Sequence, residues 1–128
     1  MPACITNGIK ISVRSRYEPK HSSIAESRYV FSYKISIVNE SDYTVQLLRR
    51  HWYIIDSNTN KREVQGEGVI GEQPILSPGA SHEYVSWCPF HSEIGMMKGF
   101  FTMQRDLDDK LMNIVVPDFT MVASPRLN

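Results

Sequence analysis

The sequence lacks the features of several large functional classes. Its 128 residues carry 14 basic and 14 acidic side chains, so the formal net charge is zero. A balanced chain has no basic field of the kind that non-specific nucleic-acid binding needs, and we expect no nucleic-acid partner. No apolar run approaches the ~20 residues that cross a bilayer, so we expect no membrane insertion. The length predicts a single domain, residues 1–128.

Cysteine and metal-ligand patterns are equally sparse. Only two cysteines are present, Cys4 and Cys88, which are too few for a disulfide framework. The first eight residues lack the charged and apolar segments of a secretory signal, so we expect a cytoplasmic protein with two free thiols. His82, Cys88 and His91 form the one close set of metal-type side chains, and they fall short of the four ligands of a structural zinc site. We therefore predict no metal site and no cofactor.

Helical periodicity is missing as well, and a two-residue alternation takes its place. The clearest alternating segment runs from Arg28 to Glu40. One face of that segment carries Tyr29, Phe31, Tyr33, Ile35 and Ile37. Similar segments cover residues 8–17, 43–47, 48–56, 62–65, 82–87, 95–105, 111–116 and 119–123. Seven to nine short strands separated by polar turns predict an all-β sandwich.

The segments between these strands predict particular connections. Asn39 to Asp42 has turn chemistry, so a hairpin is predicted between the strand before it and the strand that begins near Tyr43. A second polar turn is predicted at residues 56–61, and a loop at residues 88–93. Pro117 is predicted to end one strand before a last short one begins.

Three of the seven glycines form a G-x-G-x-x-G array at the middle of the chain: Gly66, Gly68 and Gly71. A dinucleotide-binding fingerprint needs a helix after this array, but prolines and a further strand follow here, so that interpretation fails. Three interpretations stay open. The glycines can provide positive φ angles for a tight connection, their N–H groups can bind an anion, or the loop can contact a partner.

The charges around the array argue in both directions. Arg49, Arg50 and Arg62 can supply countercharge for a bound anion, whereas Glu67 and Glu72 bring negative charge into the same loop. A lone glycine array is weak evidence for a ligand, so the structural interpretation is favoured.

The stretch from Arg49 to Trp52 offers a second candidate. On a strand, Arg50 and Trp52 share one face while Arg49 and His51 share the other. Trp52 is expected in the core of the sandwich. The arginines either lie at the surface or grip a carboxylate or phosphate with paired hydrogen bonds, and the first interpretation is favoured.

Large apolar residues occupy both faces of the segment from Gly99 to Met103. One of those faces is therefore expected to be exposed. Exposed aromatic and methionine side chains are typical of protein interfaces.

Several separated blocks of the sequence resemble the ApaG family of bacteria. These blocks are Gln46–Trp52, Gly66–Pro74, Ser77–Gly79, Tyr84–Ser86 and Met97–Met103. The resemblance implies a fibronectin-type-III-like sandwich and a protein-interaction module without known enzyme activity. It also implies an association with cobalt resistance and magnesium efflux, and with genes for diadenosine tetraphosphate hydrolysis.

Together these observations predict a non-enzymatic binding or regulatory module with an unidentified protein partner. The candidate binding residues are Gly66, Glu67, Gly68, Gly71, Arg49, Arg50 and His51. The alternative is a phosphate or nucleotide site, for example for a dinucleoside polyphosphate, at the Gly66–Gly71 loop. A sandwich also has open edge strands, so a homodimer is a further expectation.

Overall fold

The computed structural model describes residues 1–56 and 60–123, and its secondary structure is almost entirely β. In chain order the strands are β1 (Ala3–Thr6), β2 (Ile9–Tyr17), β3 (Tyr29–Asn39), β4 (Val45–Asp56), β5 (Lys61–Glu67), β6 (Ile75–Leu76), β7 (Ser81–Phe90), β8 (Ile94–Arg105) and β9 (Leu111–Val122). One short 3-10 helix, Pro19–His21, lies between β2 and β3. Nowhere in these described residues is a helix long and apolar enough to cross a membrane.

The strands form two sheets. One sheet has four strands in the order β1-β2-β3-β7, and the other has five, β5-β4-β8-β9 with β6 also paired to β4. Every pairing among the described strands is antiparallel. The order β5-β4-β8-β9 matches strands C′, C, F and G of an immunoglobulin-type sandwich. The predicted all-β, immunoglobulin/fibronectin-III-like sandwich is confirmed.

The core lies between the two sheets and has Trp52 near its centre. Trp52 is 3% exposed, and its ring meets those of Tyr33, Phe101 and Phe119 edge to face, with centroids 5.7, 6.0 and 6.0 Å away. Edge-to-face contacts suit the charge distribution of aromatic rings and add to the free energy gained by burial. The prediction that Trp52 belongs to the core is therefore confirmed.

The predicted hairpin between β3 and β4 is wrong, because these strands lie in different sheets. Asn39 explains the difference. It is fully buried, and its side-chain amide donates hydrogen bonds to the carbonyl oxygens of Tyr43 and Leu76, at 2.7 and 2.9 Å. These bonds hold the chain on a path that crosses from one sheet to the other.

The predicted break at Pro117 is also wrong, since β9 continues through it. Met97 pairs with Phe119, and the next pair is Gly99 with Val116, so β9 carries one residue more than β8 at this point. Such a bulge accommodates a proline and shifts the phase of the alternation. Buried positions accordingly change from even to odd residue numbers along β9.

The end of β7 and two short strands also differ from the prediction. β7 extends to Phe90, so the loop predicted at residues 88–93 begins later than expected. This strand tolerates Pro89 because it is an edge of its sheet. β1 and β6 are not predicted by the sequence. Residues 57–59 of the predicted turn at residues 56–61 lie outside the described residues.

Candidate functional site

The candidate residues meet at one end of the β4–β5 hairpin. Arg49 pairs with Glu67, and Arg50 pairs with Gly66. The pleat then separates them as the sequence predicts: Arg50 lies on the same side as Trp52, while His51 lies on the outer side. The structure therefore brings the candidates together along the backbone but divides them between two surfaces.

The glycine array ends in a tight turn. Ile70 and Gly71 both have positive φ, 49° and 73°, and Val69 and Glu72 exchange both of their backbone hydrogen bonds. This is the arrangement of a two-residue hairpin turn with two positive φ angles. The N–H of Gly68 donates to the carbonyl oxygen of Leu48 at 2.8 Å. The N–H groups of Gly68, Val69 and Glu72 thus donate within the protein.

Arg50 holds the start of this loop in place through hydrogen bonds. Its Nη1 donates to the carbonyl oxygens of Glu67 and Gly68, both at 3.0 Å. The guanidinium also lies over Gly66, where an added Cβ would approach its atoms to 2.8 Å. Gly66 therefore provides room for Arg50, and Arg50 in turn holds the carbonyl groups that follow Gly66.

Gly68→Ala is expected to lower the free energy of unfolding by about 3 kcal/mol. The alanine would have to adopt a left-handed backbone conformation, and its Cβ would clash with a backbone atom. Its φ is 63°, and the new Cβ would lie 2.3 Å from the carbonyl oxygen of Glu72. Gly71→Ala is the matched control, since no atom lies within 4 Å of its Cβ position. There we expect a loss of about 1 kcal/mol from the positive φ alone. Urea denaturation measures both losses, and equal losses would contradict this account of the loop.

The outer surface of the five-stranded sheet carries an unusual set of side chains. Its central strands and β9 present Tyr53, Ile55, Met96, Phe100 and Val115, which we call the apolar face. Val115 is 48% exposed and Tyr53 is 37% exposed. In the segment from Gly99 to Met103, Phe101 and Met103 are buried while Phe100 on the opposite face is partly exposed, so the prediction of one exposed face is confirmed in part.

His51 connects this face to the candidate residues. Its ring stacks on Phe100 with centroids 4.9 Å apart and lies 4.7 Å from the ring of Tyr53. Its Nε2 is 2.6 Å from a carboxylate oxygen of Glu63. These contacts hold three rings in a row across β4 and β8, which lowers the entropy cost of presenting them to a partner.

The opposite sheet shows what an ordinary outer surface looks like in this fold. Its central strands mostly present polar side chains to solvent, such as Ser12, Arg14, Lys34 and Ser36. Lys34 also forms an ion pair with Glu83 at 3.5 Å. The exposed apolar residues of this sheet, Ile5, Val85 and Trp87, lie on its edge strands β1 and β7, whereas the apolar face covers the central strands of the other sheet.

Sequence reasoning missed most of the apolar face. It identified His51 and the exposure of one side of the segment around Phe100, but it did not identify Tyr53 or Val115 as neighbours. The register of β8 and β9, which places Val115 opposite Phe100, brings them together. As for metal, the described part of the chain has no group of three or more His, Cys, Asp or Glu side chains that could hold an ion.

The fold and the apolar face define this protein as a small immunoglobulin-like β-sandwich domain with an apolar outer surface on one sheet. The family model of the ApaG domain (DUF525) matches residues 19–105. The chain is 42% identical to a protein named ApaG from Brucella suis biovar 1 (strain 1330), an alignment that covers 94% of this chain and 92% of that protein. A protein named ApaG from Anaeromyxobacter dehalogenans is 38% identical over the full length of both chains.

Solved structures agree with this assignment. A crystal structure of the putative ApaA protein from Bordetella pertussis superposes with a TM-score of 0.86 at 34% identity, covering 98% of this chain and 97% of that one. The protein described here belongs to the ApaG family.

Proposed function

We propose that this member of the ApaG family is a non-enzymatic binding module whose apolar face docks another protein. The contrast between the two outer surfaces carries the proposal. The central strands of one sheet present mostly polar side chains, while β4, β8 and β9 of the other present two aromatic rings, a methionine and two β-branched residues, all of them partly or largely exposed to solvent. Aromatic and methionine side chains are enriched at interfaces, and half-exposed apolar clusters favour association because binding removes them from water.

The charges of the apolar face indicate the chemistry of the partner. Glu63 and Asp118 are exposed at its border, whereas Lys98 is exposed within it, between Met96 and Phe100 and opposite Tyr53. A partner that fits would therefore present apolar side chains together with a carboxylate that meets Lys98 and basic groups that meet the two border carboxylates. A cytoplasmic location, together with a role in cobalt resistance and magnesium efflux, belongs to the same proposal: the module would act there through its partner.

Two other expectations remain predictions. A dinucleoside polyphosphate site at Gly66–Gly71 has the glycine pattern as its support, while the N–H groups of Gly68, Val69 and Glu72 donate to carbonyl oxygens of the protein. A homodimer would place a second copy on the apolar face or on an edge strand.

Val115→Asp is expected to weaken capture of the partner from a lysate of the source organism by roughly tenfold or more, because binding would bury an unpaired carboxylate. Quantitative mass spectrometry of the captured proteins measures this loss. Val85→Asp is the matched control, since Val85 is 50% exposed on the outer surface of the other sheet.

The three proteins should be compared at equal concentration, with light scattering as a second measurement. A captured protein that Val115→Asp loses and Val85→Asp retains supports the proposal. A dimer of the unmodified chain that Val115→Asp converts to monomer identifies the partner as a second copy. Equal capture by all three proteins, or capture lost with Val85→Asp alone, contradicts the proposal.

A further inference from the structure

The two sides of the sandwich are closed to different degrees. On one side, β1 and β2 lie against β9, and the thiol of Cys4 donates to the carbonyl oxygen of Val115 at 3.1 Å. On the other side, the edge strands β5 and β7 leave a cleft of about 260 Å³ between the sheets. We call this the edge cleft. Arg50, Arg62 and Val64 line it from the five-stranded sheet, and Tyr33, Ser86 and Trp87 line it from the four-stranded sheet.

Two guanidinium groups are held in the edge cleft by neutral acceptors. Arg50 uses Nη1 for the carbonyl oxygens of Glu67 and Gly68. Arg62 uses Nη2 for the carbonyl oxygen of Pro89 and for the Sγ of Cys88, the latter at 3.3 Å. A guanidinium has five N–H donors. Among residues 1–56 and 60–123 these bonds use two donors on each group, so three on each can meet a further acceptor.

No carboxylate in the cleft balances these two charges. None of the residues that line it is acidic. Within residues 1–56 and 60–123, ion pairs to carboxylates are made by Arg16, Lys34, His51, His82 and Arg105. Burial raises the pKa of the Cys88 thiol and of the Tyr33 phenol, although Arg62 and Arg50 respectively act in the opposite direction. Both groups are therefore neutral near pH 7 and provide no countercharge.

The remaining groups around the edge cleft are suited to an organic ligand. Trp87 pairs with Ser32 and its side chain therefore belongs to the outer surface of the four-stranded sheet, where the ring meets that of His21 edge to face at 5.1 Å. Because β7 is an edge strand, Trp87, which is 50% exposed, borders the cleft at its rim. Val64 lies across the cleft on β5, and the hydroxyl groups of Tyr33 and Ser86 add polar contacts. An aromatic residue at the rim beside two arginines favours a ligand that carries an anionic end and a flat apolar part.

We propose that the edge cleft binds a small organic oxyanion, whose charged end contacts Arg50 and Arg62 and whose flat apolar part reaches Trp87 at the rim. A carboxylate and a phosphate monoester share this chemistry. The Gly66–Gly71 loop is not among the residues that line the edge cleft. It is connected to the cleft through Arg50, which donates hydrogen bonds to the carbonyl groups of Glu67 and Gly68. The site is also separate from the apolar face, so either proposal can fail without the other.

The test is a titration followed by ¹H–¹⁵N spectra, with the indole signal of Trp87 assigned through Trp87→Phe. The probes are phenyl phosphate, benzoate, inorganic phosphate and neutral benzyl alcohol. We expect one of the two aromatic anions to shift the Trp87 signal with saturation, and we expect benzyl alcohol and inorganic phosphate to bind at least several-fold more weakly. The aromatic anion that binds more tightly identifies the class of oxyanion.

Arg62→Gln is expected to weaken binding of that anion by roughly tenfold or more, since a charge-assisted pair is lost. Arg62→Lys should retain part of the affinity because it keeps the charge without the planar fork. Arg14→Gln is the control, since it removes an exposed arginine from the outer surface of the four-stranded sheet. Should Arg62→Gln fail to fold, a salt titration of the unmodified protein tests the same point, because added salt must weaken the anion and leave benzyl alcohol unaffected.

Absence of any Trp87 shift at about 10 mM of both aromatic anions, well above a millimolar dissociation constant, would overturn the proposal. Equal losses from Arg62→Gln and Arg14→Gln would do the same. Inorganic phosphate that binds as tightly as phenyl phosphate would refute the part assigned to Trp87.

Discussion

Replacing Gly99 with valine is expected to lower the free energy of unfolding by about 3 kcal/mol or more, because the new side chain overpacks a position without room. An added Cβ would lie 2.0 Å from the carbonyl oxygen of His51 and 3.1 Å from the ring of Trp52. The carbonyl belongs to the neighbouring strand, so relief of the clash requires β4 and β8 to separate where they pair. Urea denaturation followed by tryptophan fluorescence measures the loss.

Lys98→Val is the matched control for this substitution. It adds the same side chain one position earlier, where the residue is exposed on the outer surface. We expect a change within about 0.5 kcal/mol there, as is usual for exposed sites. A loss below about 1 kcal/mol for Gly99→Val would show that the two strands are not as closely packed as described here.

The second large effect is expected for Asn39→Leu, which should lower the free energy of unfolding by about 3 kcal/mol or more. It removes both amide donors, so the buried bond to the Leu76 carbonyl is lost, whereas the Tyr43 carbonyl retains the Ser41 hydroxyl at 3.2 Å. The side chain of Asn39 donates to Tyr43 and Leu76, and its Oδ1 accepts from the N–H and the hydroxyl of Ser41, at 3.0 and 2.6 Å. One buried residue thus joins the end of β3 to two chain crossings between the sheets, from β3 to β4 and from β6 to β7. Calorimetry and urea denaturation both report the change.

Ser41→Ala is the control, because it tests one hydroxyl group separately from the other hydrogen bonds of the Asn39 side chain. It removes a hydroxyl group while leaving both amide bonds of Asn39 in place, and we expect a loss of about 1 kcal/mol. A loss from Asn39→Leu no greater than the loss from Ser41→Ala would mean that Asn39 does not hold the crossings.

The sequence predicted the strands well because alternation is a local property. In β3, apolar side chains recur at every second position from Tyr29 to Ile37. This period can be recognised from neighbouring residues alone, without knowledge of the strands that pair with β3. Pairing between strands is not local. The turn residues after Asn39 predict a change of direction, but whether the chain re-enters the same sheet depends on what the Asn39 side chain contacts, and that includes Leu76, far along the sequence.

Prolines misled the prediction in two strands for a related reason. A proline cannot donate to a neighbouring strand, so Pro117 is interpreted as a strand end, and Pro89 falls within the loop predicted at residues 88–93. Pro89 lies on an edge strand and Pro117 lies at a bulge, and both environments can be recognised only once the sheets are assembled.

The candidate sites likewise combine features that follow from the local sequence with features that depend on how the strands assemble. The opposite faces of Arg50 and His51 follow from the pleat alone, and the sequence predicts them correctly. The apolar face requires the register that sets Phe100 beside Val115. The edge cleft requires two sheets to meet so that Arg62 and Trp87 line one space, and no spacing in the sequence indicates that contact.

The most direct test of the proposed docking surface is photo-crosslinking in living cells of the source organism, with a photoreactive phenylalanine placed at Val115 or, separately, at Val85. The account predicts a discrete crosslinked product from position 115, heavier than the chain alone, and none of comparable yield from position 85. Equal products from both positions, or a product from position 85 alone, would contradict it.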